Sequence, residues 1–304
     1  PCSIACIDTL RQEGIEPVGF WYNPNIHPMK EYKMRKNTLV EYAKSIDLKL
    51  EIENEYGLRR FIEAVYPNWD NRCATCYALR FEETARYAAE HGYDKIARVD
   101  IMDADGELGI PMQDTTYFKQ DLVGSHLPDY DFMINLAHFK GHAMGGFGGV
   151  LKNQSIGVAS RDGKVRIHTA GVYDDPAKAF VQPLGQDAFL ESMAGAAQAV
   201  HNYFKDKKGI VYINVMNNLS VDCDCDGHPS APRMKNIGIL ASLDPVALDQ
   251  ACLDLVFNHK STADDDSAPL IERIRTRHGT HTVDYAEKIG LGSKSYKIVD
   301  IDAR

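Results

Sequence analysis

Two closely spaced cysteines, Cys73 and Cys76, carry the most specific chemistry in this sequence. They open a predicted helix over residues 74–92. Thiols at this spacing on the first turn of a helix share one face, where free backbone N–H groups and the helix dipole favour thiolate over thiol. Thiolates bind soft metals and iron–sulfur clusters. The alternative is that both cysteines pack as small hydrophobic residues.

A second pair, Cys223 and Cys225, follows a predicted strand in the acidic segment 222–228. A strand places both thiols on one face, and the neighbouring Asp and His residues add ligands suited to iron or zinc. The two thiols also have the spacing of a strained redox pair. The dense negative charge favours a bound cation here. A disulfide at the edge of a loop and a solvated acidic turn are the alternatives.

The stretch from Lys140 to Lys152 is too rich in glycine to form one continuous stable helix. It lacks the ending of a phosphate-binding loop, but its free N–H groups and two lysines suit an anion. His138 and His142 have the spacing of metal ligands on a helix, whereas Gly141 between them favours a loop. Ordinary hydrogen-bonded histidines are therefore the alternative to metal ligation.

Asp103 and Asp105 follow a predicted strand at 95–102, and their offsets do not fit a calcium-binding loop. They suit a divalent cation or an oriented substrate, with a capped turn as the alternative. Sites in α/β proteins lie at the carboxyl edge of the sheet. We therefore predict one pocket shared by side chains that follow the predicted strands, namely Asp103, His138, His142, Lys152 and Cys223.

The composition of the 304 residues is that of an ordinary globular protein, with 44% hydrophobic and 25% charged residues. Its formal net charge of −9 does not fit a dedicated nucleic-acid binder, so a nucleic-acid site would be a local patch. The best candidate for such a patch lies beside Tyr32, with a solvated helix face as the alternative; it comprises Lys30, Lys33, Arg35 and Lys36. Seven cysteines, an odd number, with short spacings predict a reducing compartment and hence the cytoplasm. No apolar run is long enough to span a membrane.

Alternating strand and helix patterns predict an α/β fold with a parallel sheet. In the first third of the chain we predict helices at 3–13, 29–46, 57–65 and 74–92, and strands at 16–22 and 48–53. Beyond it we predict strands at 95–102, 131–138, 209–216, 236–242 and 296–301, and helices at 186–205, 244–257, 266–277 and 283–288.

Residues 1–94 resemble the QueH family of epoxyqueuosine reductases, which act on tRNA. The resemblance is carried by residues 1–4, the run 19–28, Glu31-Tyr32 with Arg35, and the segment 72–77. It implies a Rossmann-like sheet of the adenine nucleotide hydrolase type and a substrate site. The residues implied for that site are Asn23, Asn25, His27, Tyr32 and Arg35.

The same resemblance implies a four-iron–four-sulfur cluster, held by an adjacent cysteine pair together with Cys73 and Cys76, with Cys2 nearby. Two electrons, from a donor that the sequence does not identify, and two protons would convert the epoxide to an alkene and water. This sequence lacks the family's first strand, its adjacent cysteine pair and its later half. We therefore expect a truncated domain with an incomplete ligand set and impaired activity.

Residues 95–304 resemble a different family, the iron–sulfur-centre proteins known as domain of unknown function 362. The resemblance is carried by residues 99–107, 135–153, 212–226 and 238–250. We therefore predict a second α/β domain after a boundary at 94/95, in a chain that combines parts of two families. The alternative functions are an iron–sulfur or metal-binding protein of unknown activity and an inactive chimera whose parts fold locally.

Overall fold

The computed structural model describes residues 7, 10–12, 14–53, 55–94, 96, 102–103, 105–223, 226 and 228–301, with residues 69–71, 73 and 74 described by their backbone only. Contacts divide the chain into unit 1, Pro1–Ala104, and unit 2, Asp105–Arg304. Within the described ranges, no helix is long and apolar enough to cross a membrane.

Unit 1 is a small βαβ arrangement with two further helices. In chain order it contains β1 (Gly19–Trp21), α1 (Met29–Ser45), β2 (Leu50–Ile52), α2 (Leu58–Val65), a 3-10 helix (Tyr66–Asn71) and α3 (Arg72–Glu90). The two strands are parallel, with Gly19 opposite Leu50, because α1 carries the chain back to the same edge. Ala43 on α1 packs with Leu48 and Ile7 beneath the strands.

The helices and strands predicted for unit 1 match these elements wherever residues are described, although both strands are shorter than predicted. Of the helix predicted at 3–13, only residues 7 and 10–12 are described, and they are helical. The strand predicted at 95–102 lies largely outside the described residues. A mixed α/β fold is therefore confirmed, whereas the Rossmann-like assignment stays a prediction. The family boundary at 94/95 also stays a prediction.

Unit 2 combines two hairpins, a mixed sheet and a layer of helices. Its strands are β3 (Glu107–Pro111), β4 (Gln120–Gly124), β5 (Met133–His138), β6 (Lys140–His142), β7 (Gly146–Gly148), β8 (Ile210–Met216) and β9 (Gly238–Ser242). Its helices are α4 (Val150–Val158), α5 (Arg161–His168), α6 (Gln186–Lys205), α7 (Pro245–Phe257), α8 (Ala268–Thr276) and α9 (His281–Lys288).

The central sheet of unit 2 has the order β5-β8-β9, with β5 parallel and β9 antiparallel to β8. Alternate residues of β8, including Tyr212 and Met216, are buried on the face that α4 and α7 cover. On the other face Ile134, Leu136 and Ile239 remain exposed. The sheet therefore buries one apolar face and leaves a second one open.

Helix α6 forms the middle of the core of unit 2. Its predicted apolar stripe is buried, including Phe189, Met193, Val200 and Phe204. Small residues such as Ala196 allow α4 and α9 to pack closely on its sides. The long periodic pattern of residues 186–205 therefore predicted this element correctly.

A buried carboxylate joins the helices to the sheet. Asp249 on α7 has no solvent exposure, and it accepts hydrogen bonds from the backbone N–H groups of Val150 and Leu151, both at 3.0 Å. It also accepts one from Nδ2 of Asn214 on β8 at 2.7 Å. Burial raises the pKa of Asp249 to about 6, although these three donors oppose the shift. Asp249 therefore caps α4 from outside that helix, and Gly149 at the cap position supplies no side chain.

Several elements of unit 2 differ from the sequence prediction. The predicted strand at 296–301 is wrong, because residues 296–300 form neither helix nor strand. The hairpins β3-β4 and β6-β7 and the helices α4 and α5 were not predicted. The start of α4 has no local signal, since its capping group is Asp249, far along the chain.

Replacing Asp249 by alanine is expected to lower the free energy of unfolding by about 3 kcal/mol, because three buried donors lose their acceptor. Urea denaturation followed by far-UV circular dichroism measures this change. Asp131→Ala is the matched control, since the Asp131 side chain is 72% exposed. If both variants unfold at the wild-type midpoint, the capping role of Asp249 is wrong.

A second carboxylate predicts a dependence of stability on pH. Asp121 on β4 is fully buried and neither of its oxygens has a hydrogen-bond partner among the described residues. Burial raises the pKa of Asp121 to about 7, and the nearby Leu122 N–H offsets only part of the effect. The folded protein therefore holds this proton more tightly than the unfolded chain, whose Asp pKa is about 3.9. The contribution of Asp121 to stability is present below pH of about 4 and is lost as the pH rises through about 7.

Asp121→Asn cannot ionise, so its unfolding midpoint should fall less than that of the wild-type protein between pH 5 and pH 8, a range set by the shift to about 7. Urea midpoints of both proteins at the two pH values measure the difference. An equal decrease in both proteins would contradict the assignment of this pH dependence to Asp121.

Candidate functional site

The cysteine pair of unit 1 lies where the 3-10 helix runs into α3. Cys73 is the second residue of α3 and Cys76 the fifth, so both lie near the N-terminus of this helix. Cys76 is half-buried and forms no disulfide. The side chain of Cys73 lies outside the described residues, as do Cys2 and Cys225 entirely. That both sulfurs face one pocket therefore stays a prediction.

A cavity of about 1120 Å³ lies beside this cysteine-bearing helix. Residues one and two turns beyond Cys76 form one wall, and the end of β1 forms another. The lining includes Tyr77, Arg80, Phe81 and Thr84 from α3 and Phe20, Tyr22 and Asn23 from β1 and its end. Aromatic walls with few polar groups suit a flat, partly polar molecule such as a nucleoside.

Arg80 is the cation of this cavity, and the sequence analysis did not single it out. Its Nε atom is buried and has no hydrogen-bond partner within the described part of the chain. Burying an unpaired donor is costly. Arg80 is therefore suited to bind an anionic or strongly polar group of a ligand. The sequence signal that could have identified Arg80 is its position on the same helix as a pair of cysteines.

Three of the residues predicted to contact substrate are held by neighbouring groups in unit 1. Tyr32 is buried, and its hydroxyl accepts a hydrogen bond from Nε1 of Trp21 at 3.0 Å. The His27 ring lies 2.7 Å from the Tyr56 hydroxyl through its Nδ1 atom. Arg35 is exposed and pairs with Glu31 at 2.6 Å.

The two predicted asparagines lie between β1 and α1. Asn23 lines the cavity. The Oδ1 atom of Asn25 is buried and, among the described residues, has no hydrogen-bond partner. Asn23 is thus placed where a ligand in the cavity can reach it, and the role of all five predicted residues in binding substrate stays a prediction.

The basic patch near α1 is a solvent-facing surface. Lys30, Lys33 and Arg35 are exposed, and the Lys36 ammonium lies 5.9 Å from the centre of the Tyr32 ring. This position allows contact with a large anionic partner. A solvated helix face that binds no partner would have the same exposed lysines. The proposed tRNA contact therefore stays a prediction.

A buried ion pair fixes the orientation of α3. Glu83 is buried and binds Arg60 of α2 at 2.9 Å and Arg86 of its own helix. The hydrogen bond from Arg86 is the main reason that the pKa of Glu83 is lowered, with Arg60 adding to it and burial opposing it. The pair keeps α2 beside α3 and so holds the wall of the cavity that carries Arg80.

In unit 2 the glycine-rich loop meets the segment that follows β8. His138 at the end of β5 lies 2.6 Å through its Nε2 atom from the Asn217 carbonyl. The Gly141 N–H donates to the Ser220 carbonyl at 2.8 Å. A Cβ atom at Gly141 would lie 2.0 Å from the Val221 carbonyl oxygen, so only glycine fits. The carboxyl ends of the parallel strands β5 and β8 therefore bring these two segments together.

His142 occupies the centre of this region as a neutral ring. Its Nδ1 atom accepts hydrogen bonds from the N–H groups of Met144 at 3.2 Å and Gly145 at 2.9 Å. An accepting Nδ1 places the proton of the neutral ring on Nε2. Burial, and then the positive charge of Lys152, lower the pKa of His142 to about 4. His142 is therefore a hydrogen-bond donor through Nε2, without charge, at neutral pH.

Cationic side chains surround the loop. A Cβ atom at Gly148 would lie 3.8 Å from both Lys140 Cε and Lys152 Cδ, so the two lysines flank the same glycine. Arg273 on α8 donates to the Val221 carbonyl at 3.1 Å and pairs with Asp222 at 3.2 Å. The sequence analysis did not connect Arg273 to this region, because α8 lies far along the chain.

Of the residues predicted to share a pocket, His138 ends β5, Cys223 follows β8, and His142 and Lys152 belong to the glycine-rich stretch. That they line one pocket stays a prediction. Cys223 is buried with a free thiol, two residues beyond the Val221 backbone that touches Gly141. Asp103 belongs to unit 1, so its membership stays a prediction.

Asp105 and the metal site at Cys223 and Cys225 were predicted because residues that can bind a metal ion cluster there in the sequence. Asp105 is exposed and lies 2.7 Å from Nε2 of His126 through its carboxylate, which is consistent with an ordinary surface pair. Among the residues that the structure describes, no group of three or more His, Cys, Asp or Glu side chains is arranged to hold a metal ion. Metal binding at Cys223 and Cys225 stays a prediction.

Two family models match the chain. The family described as Domain of unknown function (DUF362) matches residues 70–254, and the family described as Epoxyqueuosine reductase QueH matches residues 1–99. The two matches overlap in α3, the helix that carries the cysteines. No solved structure matches the chain.

Curated relatives match only the first third of the chain. Epoxyqueuosine reductase QueH of Haemophilus influenzae is 36% identical over 98 residues, which are 31% of this chain and 40% of the relative. QueH of Dehalococcoides mccartyi is 32% identical over 93 residues, 31% of this chain and 51% of the relative. QueH of Acinetobacter baylyi is 38% identical over 98 residues, 31% of this chain and 44% of the relative. The chain thus spans about half or less of the length of these relatives.

The close approach at Gly141 predicts different outcomes for two glycines of unit 2. Gly141→Ala should lower the thermal midpoint, because the new Cβ atom collides with the Val221 carbonyl. Gly157→Ala is the matched control: its Cβ atom would meet only the Asn153 side chain at 3.4 Å, and alanine stabilises a helix interior by about 1 kcal/mol. Differential scanning calorimetry measures both midpoints, and equal midpoints would show that Gly141 is not required.

Proposed function

We propose a function on the premise that this chain belongs to the family described as Domain of unknown function (DUF362), whose model covers more than half of it. That description states no activity. We therefore infer the chemistry from the first 99 residues, which we propose act as an epoxyqueuosine-reductase-like module on tRNA. The single observation that supports this most is the match of these residues to relatives that are named epoxyqueuosine reductases.

Cys73 and Cys76 are proposed to hold an iron–sulfur cluster. The donor set fits such a cluster, because Cys76 is a half-buried thiol that forms no disulfide and lies near the N-terminus of α3, where the helix dipole favours thiolate. Thiolates at this spacing bind adjacent corners of a cluster. When bound, the cluster supplies electrons one at a time. These two residues do not identify the other ligands of the cluster.

The aromatic cavity beside α3 is proposed to bind the modified nucleoside. Tyr77 and Phe20 offer flat surfaces for a base, and Asn23 offers both a donor and an acceptor. Arg80 would position a phosphate or a ring hydroxyl with its unpartnered Nε–H group. These residues hold the epoxide-bearing ring near the cysteines and exclude water from it.

The overall reaction consumes two electrons and two protons. Both carbon–oxygen bonds of the epoxide break, the two carbons form an alkene, and the oxygen leaves as water. A proton donor within reach of the cavity is needed, and Tyr77, which lines the cavity and carries a phenolic hydroxyl, is proposed for this role.

A metal-binding role without this activity is the second candidate. Cys223 is a buried free thiol beside the glycine-rich loop, within the region that matches the DUF362 family. Iron or zinc held there by Cys223 and Cys225 would make the chain a metal-binding protein independent of tRNA.

Anaerobic reconstitution with ferrous iron and sulfide tests the cluster proposal on the full chain. Whatever iron, sulfide and broad visible absorbance the full chain acquires should depend on the two cysteines, and Cys73→Ser and Cys76→Ser should each remove most of this signal. Cys252→Ala is the control, since Cys252 lies in the core of unit 2. Undiminished iron in the double serine variant would contradict the proposal and favour Cys223.

Epoxyqueuosine-containing tRNA tests the activity. The reconstituted protein, with dithionite as reductant, should convert epoxyqueuosine to queuosine only slowly, in line with the impaired activity predicted from the sequence, as measured by mass spectrometry of digested nucleosides. Arg80→Gln should lower conversion by about tenfold or more if its positive charge positions the substrate. Conversion that does not depend on Cys73, Cys76 or Arg80 would show that this cavity is not the active site.

A further inference from the structure

We propose that the glycine-rich loop of unit 2 is a binding site for the phosphate group of a small ligand, formed by Lys152 and the Nε2–H group of His142, with the stem of Lys140 beside them. This site lies outside the cysteine-bearing module and does not depend on its activity. Its support comes from the charges at the loop, the state of His142 and the groups that are already occupied.

Cationic side chains lie around His142. Lys152, Lys140 and Arg273 each lower the pKa of the ring, and among charged groups Lys152 has the largest effect. The charge of Arg273 is compensated by Asp222. The whole chain has a formal net charge of −9, so a cationic region is a local exception. The charge of Lys152 beside the loop therefore favours an anionic ligand.

Lys152 is the cation that is available to a ligand. Its side chain is half-buried, and it forms neither an ion pair nor a hydrogen bond with any other part of the chain that the structure describes. Its stem flanks Gly148 together with that of Lys140. Glycine at this position leaves room between the two stems, where a side chain would otherwise lie.

His142 adds directed hydrogen bonding without adding charge. Met144 and Gly145 occupy its Nδ1 atom, so Nε2 carries the proton. The ring is buried, yet no hydrogen bond to Nε2 occurs among the described residues, and this atom is not among the buried unpartnered ones. Nε2–H is therefore accessible and donates to a ligand over a wide pH range, because the ring does not become protonated until the pH falls to about 4.

The N-terminus of α4 is not the binding group. Its first free N–H groups, those of Val150 and Leu151, already donate to Asp249. The ligand is therefore held by side chains, the Lys152 ammonium group and the His142 imidazole. Lysine binds phosphate as a point charge, whereas arginine binds carboxylates and phosphates through its planar fork. Arg273, which donates to the Val221 carbonyl beside the loop, is paired with Asp222. A phosphate group carries about two negative charges near pH 7, so it gains more from the Lys152 charge than a carboxylate does.

Titration of the full-length protein with inorganic phosphate at constant ionic strength tests the proposal. Isothermal titration calorimetry gives the affinity, and the Nε2–H signal of His142 in ¹⁵N-histidine-labelled protein reports contact with the ligand. Lys152→Gln should weaken phosphate binding by about tenfold or more, in line with the loss of one charge-assisted hydrogen bond. Lys205→Gln, at the exposed end of α6, should leave it unchanged.

Each outcome decides the proposal. A selective loss in Lys152→Gln, with an unchanged thermal midpoint and a shifted His142 signal in the wild-type protein, supports it. Equal losses in both lysine variants, or no shift at His142, would show that phosphate binds only through general electrostatics and would overturn it. Acetate binding as tightly as phosphate would overturn the choice of phosphate. None of these readouts involves iron or tRNA, so failure here leaves the reductase proposal unaffected.

Discussion

The buried carboxylate of Asp249 is the constraint on which the rest of unit 2 depends. Its two oxygens join the start of α4 to β8 through three hydrogen bonds from within the core. Because Gly149 must approach this carboxylate closely, the chain enters α4 in one orientation. That orientation places Lys152, one turn later, beside the glycine-rich loop. The proposed anion site is therefore a consequence of how a charge is accommodated in the core.

Much of the fold could be predicted from local pattern, and the rest could not, for identifiable reasons. The helix α6 and the strand β8 have long, unambiguous periodicities, and both were predicted within a residue or two. The helix α4 follows a run of glycines, and the group that starts it lies on another helix. The segment 296–301 is rich in residues that favour strands, but such residues form a strand only where a neighbouring edge is available.

The candidate sites show the same division. Helix periodicity placed Cys73 and Cys76 at the start of α3, because three-residue spacing and an N-terminal position are local properties. The sequence also identified His142 and Lys152 as groups suited to a ligand. It did not reveal that His142 is neutral with its proton on Nε2, since that depends on two backbone donors. Arg80 was missed because its importance rests on the lack of a partner, which only three-dimensional structure shows.

The contact at Gly141 has a consequence for how unit 2 responds to ligands. The Gly141 N–H donates a hydrogen bond to the Ser220 carbonyl, and Gly141 lies against Val221. Val221 lies two residues before Cys223, and Gly141 lies one residue before His142. A displacement of either segment is therefore transmitted to the other through the backbone. If ligands bind at both segments and one changes the affinity for the other, thermodynamic reciprocity requires the effect to be equal in both directions. The contact at Gly141 thus joins the glycine-rich loop mechanically to the segment that carries Cys223.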